Sequence, residues 1–252
     1  MKNDKDSVLL AKIRQIEREN HGNFGVRRVH HTLNTEKNTV CSRSKIQRVM
    51  HDNGIKSRII SKYKPQSTKA DPSAIAFPNL LNQDFSTTER NCVWLADITY
   101  IRVGFKWAYL AAVLDLGRRK IVGWALGESP NAELVCTALR RAVHTEKPPK
   151  GLIHHSDRGC QYTSNLYKQL LSQYGMIGSM SHKGTPYDNA PMESFFHTLK
   201  VEWINQQKYS TIQSAYHSLF YYIDIYYNCK RIHSALGYKS PNSYEIPRKS
   251  AI

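Results

Sequence analysis

Between residues 93 and 127 three apolar, β-rich runs follow one another with only short turn signals between them: VWLADITYIRV, KWAYLAAVLDL and KIVGWALGE. Val, Ile, Tyr and Trp suit a pleated, half-buried surface, and gaps this short allow a reversal of direction but no crossover. A meander of three antiparallel strands is predicted. Helical and β-type segments then alternate. NAELVCTALRRAVHTEK reads as a helix ended by Pro148–Pro149, GLIHHSD as a short strand, TSNLYKQLLSQYG as a helix stopped by Gly175, and MIGSMS as a last short strand. After the loop HKGTPYDNAP, one helix is expected from near Met192 and another over TIQSAYHSLFYYIDIYYN. Three antiparallel strands followed by helix, strand, helix and strand make a mixed α/β layer fold over residues 91–252.

The first part of the chain is different. Residues 7–20 place Val8, Leu9, Ile13 and Ile16 on a helical period; Val26, Val29 and Leu33 follow on a second, and Ile46, Val49 and Met50 on a third, over about 42–53. Ser42 is a candidate N-cap and Gly54 a stop. Residues 1–70 hold 16 Lys+Arg against 6 Asp+Glu, whereas the whole chain of 252 residues carries a net charge of +16. A basic arm on a nearly balanced core points to a polyanion, nucleic acid first. Three short helices with Arg27, Arg28, Arg43, Lys45 and Arg48 outside suggest a helix-turn-helix-like DNA-binding unit over 1–56. The alternative is a three-helix packing module with a solvated basic face. Residues 57–90 lose periodicity, gain Pro65, Pro72 and Pro78, and read as a linker whose NLLNQDF stretch lies against the next domain. No run approaches the roughly 18 apolar residues of a membrane span. The N-terminus lacks the apolar run of a secretory signal, and the five scattered cysteines form neither a zinc pattern nor a disulfide framework, so reduced thiols in the cytoplasm are expected.

Three acids stand out by context. Asp97 interrupts the apolar run WLADITYI, where an unpaired charge costs several kcal/mol, on the order of the penalty for a buried ion. Asp157 ends the next core strand, in HHSDRG, at the edge where open α/β sheets hold ligands. Glu193 opens a helix, in DNAPMESFFHTLK, and Lys200 shares its face at i+7. Acids so placed are stabilised by a divalent cation.

The stretches NLLNQDF, WLADITYI, WAYLAAVLD, IVGWAL, HHSDRGCQYTS, SMSHKGTPYDNAPMESFFHTLK and YYNCKRIHSALGYKSPNSYE resemble the DDE-type transposases of bacterial insertion sequences, relatives of retroviral integrases. The chain is most similar to the second-reading-frame product of the group made from two overlapping frames, and its basic first segment resembles the N-terminal part of such products. The resemblance implies a ribonuclease H-like fold with a five-stranded mixed sheet flanked by helices. It implies Asp97, Asp157 and Glu193 as catalytic and metal-holding groups and Lys200 as a DNA contact. It also implies two Mg²⁺ (or Mn²⁺) ions roughly 3.5–4 Å apart, with Asp97 bridging them. Double-stranded DNA would be the substrate, both transposon ends and target. An active homo-oligomer, a first-frame helix-turn-helix product as fusion or partner, and a nucleoid-associated location are expected with it. Gly117–Arg118 depart from the bulky apolar residue and serine that are commoner there. Two further readings share the same residues: a catalytically silent DNA-binding regulator of transposition, and a ribonuclease H-like nuclease with another substrate.

Overall fold

The computed structural model of the chain describes residues 2–58, 76–87 and 89–244. The meander is present as β1 (Val93–Val103), β2 (Lys106–Asp115) and β3 (Lys120–Gly127), paired antiparallel in sequence. β4 (Ile153–Ser156) joins the other edge of β1 in parallel, and β5 (Ile177–Met180) lies parallel outside β4, giving the order β3-β2-β1-β4-β5. The mixed five-stranded sheet is as expected. Side chains alternate strictly along β2: Leu110, Ala112 and Leu114 enter one core layer, Ala111 and Val113 the other. Both faces of the sheet are therefore covered. Arg118, one of the two departures in the β2–β3 turn, donates to Asp115 at 2.6 Å and to Glu146 at 2.7 Å, and Lys120 meets the same Glu146 at 2.8 Å.

Among the described residues three helices precede the sheet: α1 (Lys2–Glu19), α2 (Val26–Thr35) and α3 (Arg43–Asp52). Leu9, Ile13 and Ile16 of α1 close against Val29 and Leu33 of α2 and Ile46, Val49 and Met50 of α3. Ser42 caps α3, accepting from the Lys45 amide at 3.3 Å, and Gly54 ends it at φ +67°. α1 starts earlier than the apolar period suggests because its first turn is polar. Asp6, just past that turn, is tied to Arg48 at 2.7 Å and Lys45 at 3.2 Å. The three helices do not complete their own core. Ile232, some 180 residues further on, is buried in it, and the Tyr238 ring stacks on His31 at 4.6 Å. Residues 59–75 and 88 of the expected linker lie outside the described residues. The NLLNQDF stretch does lie against the core: Leu81 is buried, Phe85 packs beside it, and the Leu80 amide donates to Ser179 at 3.0 Å.

One face of the sheet is covered by α4 (Ala132–Glu146), α5 (Cys160–Thr163) and α6 (Asn165–Gln173). α4 approaches β3 so closely that a Cβ on Gly123 would stand 2.4 Å from the Ala138 carbonyl oxygen. The other face is covered by α7 (Ala190–Glu202) and α8 (Ile212–Phe220). The single long helix expected over 211–228 is instead α8 followed by a π-helical turn, Tyr221–Tyr227. The wider turn carries i→i+5 bonds, such as Asn228 N to Ile223 O at 3.0 Å, and buries Tyr222, Ile223, Tyr226 and Tyr227 together. All five cysteines are free thiols.

Candidate active site

Strand register brings the first two acids together. β1 and β4 run parallel with Ala96 beside Ser156, so Asp97 and Asp157, the next residues, leave neighbouring strands at the same level. The third acid arrives by a separate route. Asn189, just before α7, donates its side-chain amide to the Ala96 carbonyl at 3.2 Å, which fixes the start of that helix beside β1 and carries Glu193 in its first turn. Asp157 is shaped by a tight Asp-Arg-Gly turn in which the Gly159 amide donates to its Oδ1 at 2.9 Å. A Cβ on Gly159 would sit 3.0 Å from that same oxygen.

The electrostatics report the convergence. Burial pushes the Asp97 carboxyl well above the usual carboxylate range, the charges of Asp157 and then Glu193 push it further, and the Ile98 amide, at 2.7 Å, and Lys200 act against them. Burial also raises Glu193. The hydroxyl of Tyr162 lies within reach of the Asp97 and Asp157 charges, buried and with no hydrogen-bond partner among the described residues. Also among the described residues, no three His, Cys, Asp or Glu side chains already stand in an arrangement that holds one ion. Asp97 and Asp157 each turn an oxygen to a backbone amide. The donor set is nonetheless all oxygen, all anionic and mutually repelling, which suits a hard divalent cation and little else.

Comparison with known proteins fits this geometry. Two family models of the integrase core domain match residues 87–186 and 174–241, and a model of an HTH-like domain matches residues 3–63. The transposase for insertion sequence element IS904 of Lactococcus lactis is 40% identical over 238 residues, 94% of this chain and 93% of that one. The chain belongs to the insertion-sequence transposases. Transposase InsF for insertion sequence IS3A of Escherichia coli is 41% identical over 192 residues, 76% of this chain and 66% of that protein. Among solved structures, a simian T-cell lymphotropic virus intasome chain superposes with a TM-score of 0.54 at 12% identity, covering 95% of this transposase and 79% of that chain, a likeness of fold. This transposase is thus a DNA-directed polynucleotidyl transferase of the DDE type. No helix among its described residues is long and apolar enough to cross a membrane.

Other residues of interest fall in two groups. Lys200 is buried, two turns along α7 from Glu193, with its ammonium 4.2 Å from the centre of the Tyr100 ring; burial lowers its pKa and Asp97 opposes that. Arg27 and Arg43 are exposed on α2 and α3, whereas Lys45 and Arg48, also on α3, are both paired to Asp6. Arg28 is not exposed as Arg27 is. It turns inward, its side chain 20% exposed, 3.6 Å from the fully buried Glu202 and over the Phe24 ring, because α7 presents an acid at the seam with α2. His155 bonds Ser179 at 2.8 Å and Ser181 at 3.1 Å, His154 bonds Tyr167 at 3.1 Å, and burial lowers their pKa values to about 4 and about 3. They are packed as neutral rings. His197 is half-buried on α7.

Asp188 escaped the sequence reading. It lies in the 3₁₀ turn before α7 and accepts from Asn79 and Gln83 at 2.9 Å each, from the His182 amide at 2.8 Å, and from the His182 ring at 3.0 Å. One carboxylate thereby fastens NLLNQDF and the β5–α7 loop to the helix that bears Glu193. The only signal in the sequence was the pair of polar motifs themselves, NLLNQDF and PYDN.

Proposed function

We propose that this transposase cleaves DNA at the ends of an insertion sequence and joins those ends to target DNA, with Asp97, Asp157 and Glu193 as its catalytic acids. What supports the reading most directly is the convergence of one acid from mid-strand, one from a strand end and one from a helix, with Asp97 raised by its neighbours. The three carboxylates would hold two Mg²⁺ or Mn²⁺ ions. When bound, those ions supply activation of the attacking oxygen and stabilisation of the leaving one.

The chain's own groups supply position and charge. Water attacks phosphorus and the 3′ oxygen leaves, giving a 3′-hydroxyl and a 5′-phosphate. That 3′-hydroxyl is then the nucleophile of joining, in which one phosphodiester forms as another breaks. Lys200, held over Tyr100 on the Glu193 side of α7, offers positive charge to a phosphate beside the acids. Arg27, Arg43, Lys45 and Arg48 would offer positive charge to the DNA backbone, each charge adding affinity by displacing counterions. Joining two ends implies at least a dimer. A first-frame helix-turn-helix product is the fusion or partner that recognises the ends, in a cytoplasmic, nucleoid-associated complex.

The test is Mn²⁺-dependent nicking and joining of duplex DNA by the wild type, Asp157→Asn and Glu193→Gln. Both variants should lose at least about a thousandfold in each step, since the lost charge stabilisation is worth several kcal/mol, while DNA binding persists. Joining retained by Glu193→Gln would overturn the assignment. An inactive wild type that still binds DNA would favour the silent regulator.

A further inference from the structure

Behind α7 lies a cleft of about 430 Å³ whose walls come from three distant parts of the chain. Arg28 enters from α2, Arg119 from the β2–β3 turn, and Arg231 and His233 from the segment after the π-helical turn; α7 adds Ser194 and Thr198. A helix advances about 100° per residue, so Ser194 and Thr198 point away from the face that carries Glu193 and Lys200. The cleft and the acids are two sides of one helix.

Charge in the cleft does not balance. Glu202 accepts from Arg231 at 2.8 and 2.7 Å and stands 3.6 Å from Arg28, so two guanidiniums share one carboxylate. Arg119 is half-buried and makes no hydrogen bond or ion pair among the described residues. Burial lowers its pKa, the sign of a cation taken out of water with no anion to meet it. His233, beside the arginines, is neutral, its pKa lowered to about 2 by burial and their charge. Among the described residues no carboxylate lines the cleft. A half-buried site with three guanidiniums, one neighbouring carboxylate and two hydroxyls on the helix wall is incomplete without an anion.

We infer that this cleft binds a phosphate group, the backbone phosphodiester of a DNA segment distinct from the one at Asp97, Asp157 and Glu193. Guanidinium groups match phosphate in shape and stay charged when half-buried, and Ser194 and Thr198 can donate to the remaining oxygens. A helix is about 10 Å across, so a phosphate behind α7 belongs to another stretch of nucleic acid than the bond being cut. Because Arg28 comes from the N-terminal helices and the rest from the core, the bound phosphate would also brace that seam. The proposal rests on the DNA-directed reading above, but its test follows binding and not chemistry, so the two can fail separately.

The experiment is fluorescence anisotropy of a labelled duplex with the full chain over a KCl series, for wild type, Arg119→Gln and Arg119→Lys. One lost phosphate contact should reduce the slope of log affinity against log salt by about 0.9. Arg119→Gln should show that loss, and Arg119→Lys should restore most of it. If Arg119→Gln does not fold, Ser234→Asp, which adds an anion at the exposed rim, replaces it with the same expected loss. An unchanged slope in the folded variant overturns the proposal. So does an unchanged slope accompanied by a thermal stabilisation of wild type, but not Arg119→Gln, by inorganic phosphate; that result would assign the cleft to a free anion.

Discussion

A carboxylate in the middle of an apolar strand is stabilised only if something meets its charge, and Asp97 meets two more acids instead. The consequence is a pH dependence of definite sign. Its folded pKa lies above the unfolded value, so over the window from about pH 4 up to that raised pKa the native state holds the extra proton. Without metal, stability should fall as pH rises through this window. The urea midpoint of Asp97→Asn should lack that component, and the difference between the two curves isolates it from other groups. Mn²⁺ should raise the wild-type midpoint at pH 7.5 and not at pH 4, where Asp97 is protonated; an equal rise at both would mean the ion binds elsewhere. Asp97 and Asp157 stand out in the sequence because a charge inside or at the rim of an apolar run is costly and therefore informative, and Glu193 because it opens a helix. Asp188 was not, since its side-chain partners Asn79 and Gln83 are 109 and 105 residues away and it sits in a loop where an acid is unremarkable.

Among the elements, the strands and most helices follow from periodicity, and the exceptions have local causes. The first turn of α1 is polar, so nothing apolar marked it. The π-helical turn is set by four inward side chains, Tyr222, Ile223, Tyr226 and Tyr227, whose common packing is a property of the core they enter. Gly123 in IVGWAL is the position where α4 rests on the sheet. A Cβ there meets backbone of α4, which cannot rotate aside. Gly123→Ala should cost about 1–3 kcal/mol in urea unfolding, the usual penalty for overpacking a core. Since α4 and α7 cover opposite faces, DNA affinity of the folded fraction should be unchanged; a loss of affinity as large as the loss of stability would show that the two faces move together.

Over the whole molecule, the N-terminal helices and the core are joined at a small seam of high consequence. His21 packs edge-on against Trp203 at 5.1 Å and Tyr226 at 5.3 Å, and Glu202 bridges Arg28 and Arg231 beneath them. Glu202→Gln leaves Arg231 buried without its counter-charge, a change typically costing about 3–5 kcal/mol. Trp203 fluorescence should then report release of the seam at a lower urea concentration than far-UV ellipticity reports unfolding of the core. Coincident transitions would mean the seam and core unfold as one unit. None of this was visible in the sequence, where nothing marks Glu202 as buried. The burial of Ile232 among α1–α3 has a further consequence, for the order of events during synthesis. At about 5–20 residues per second, roughly 10–40 s separate the emergence of α3 from that of Ile232 and Tyr238. Through that interval the first three helices hold an apolar seam that their own sequence cannot close. A newly made chain therefore closes its three-helix core only after its late segment has folded back, and the molecule that emerges is timed as well as shaped by that contact.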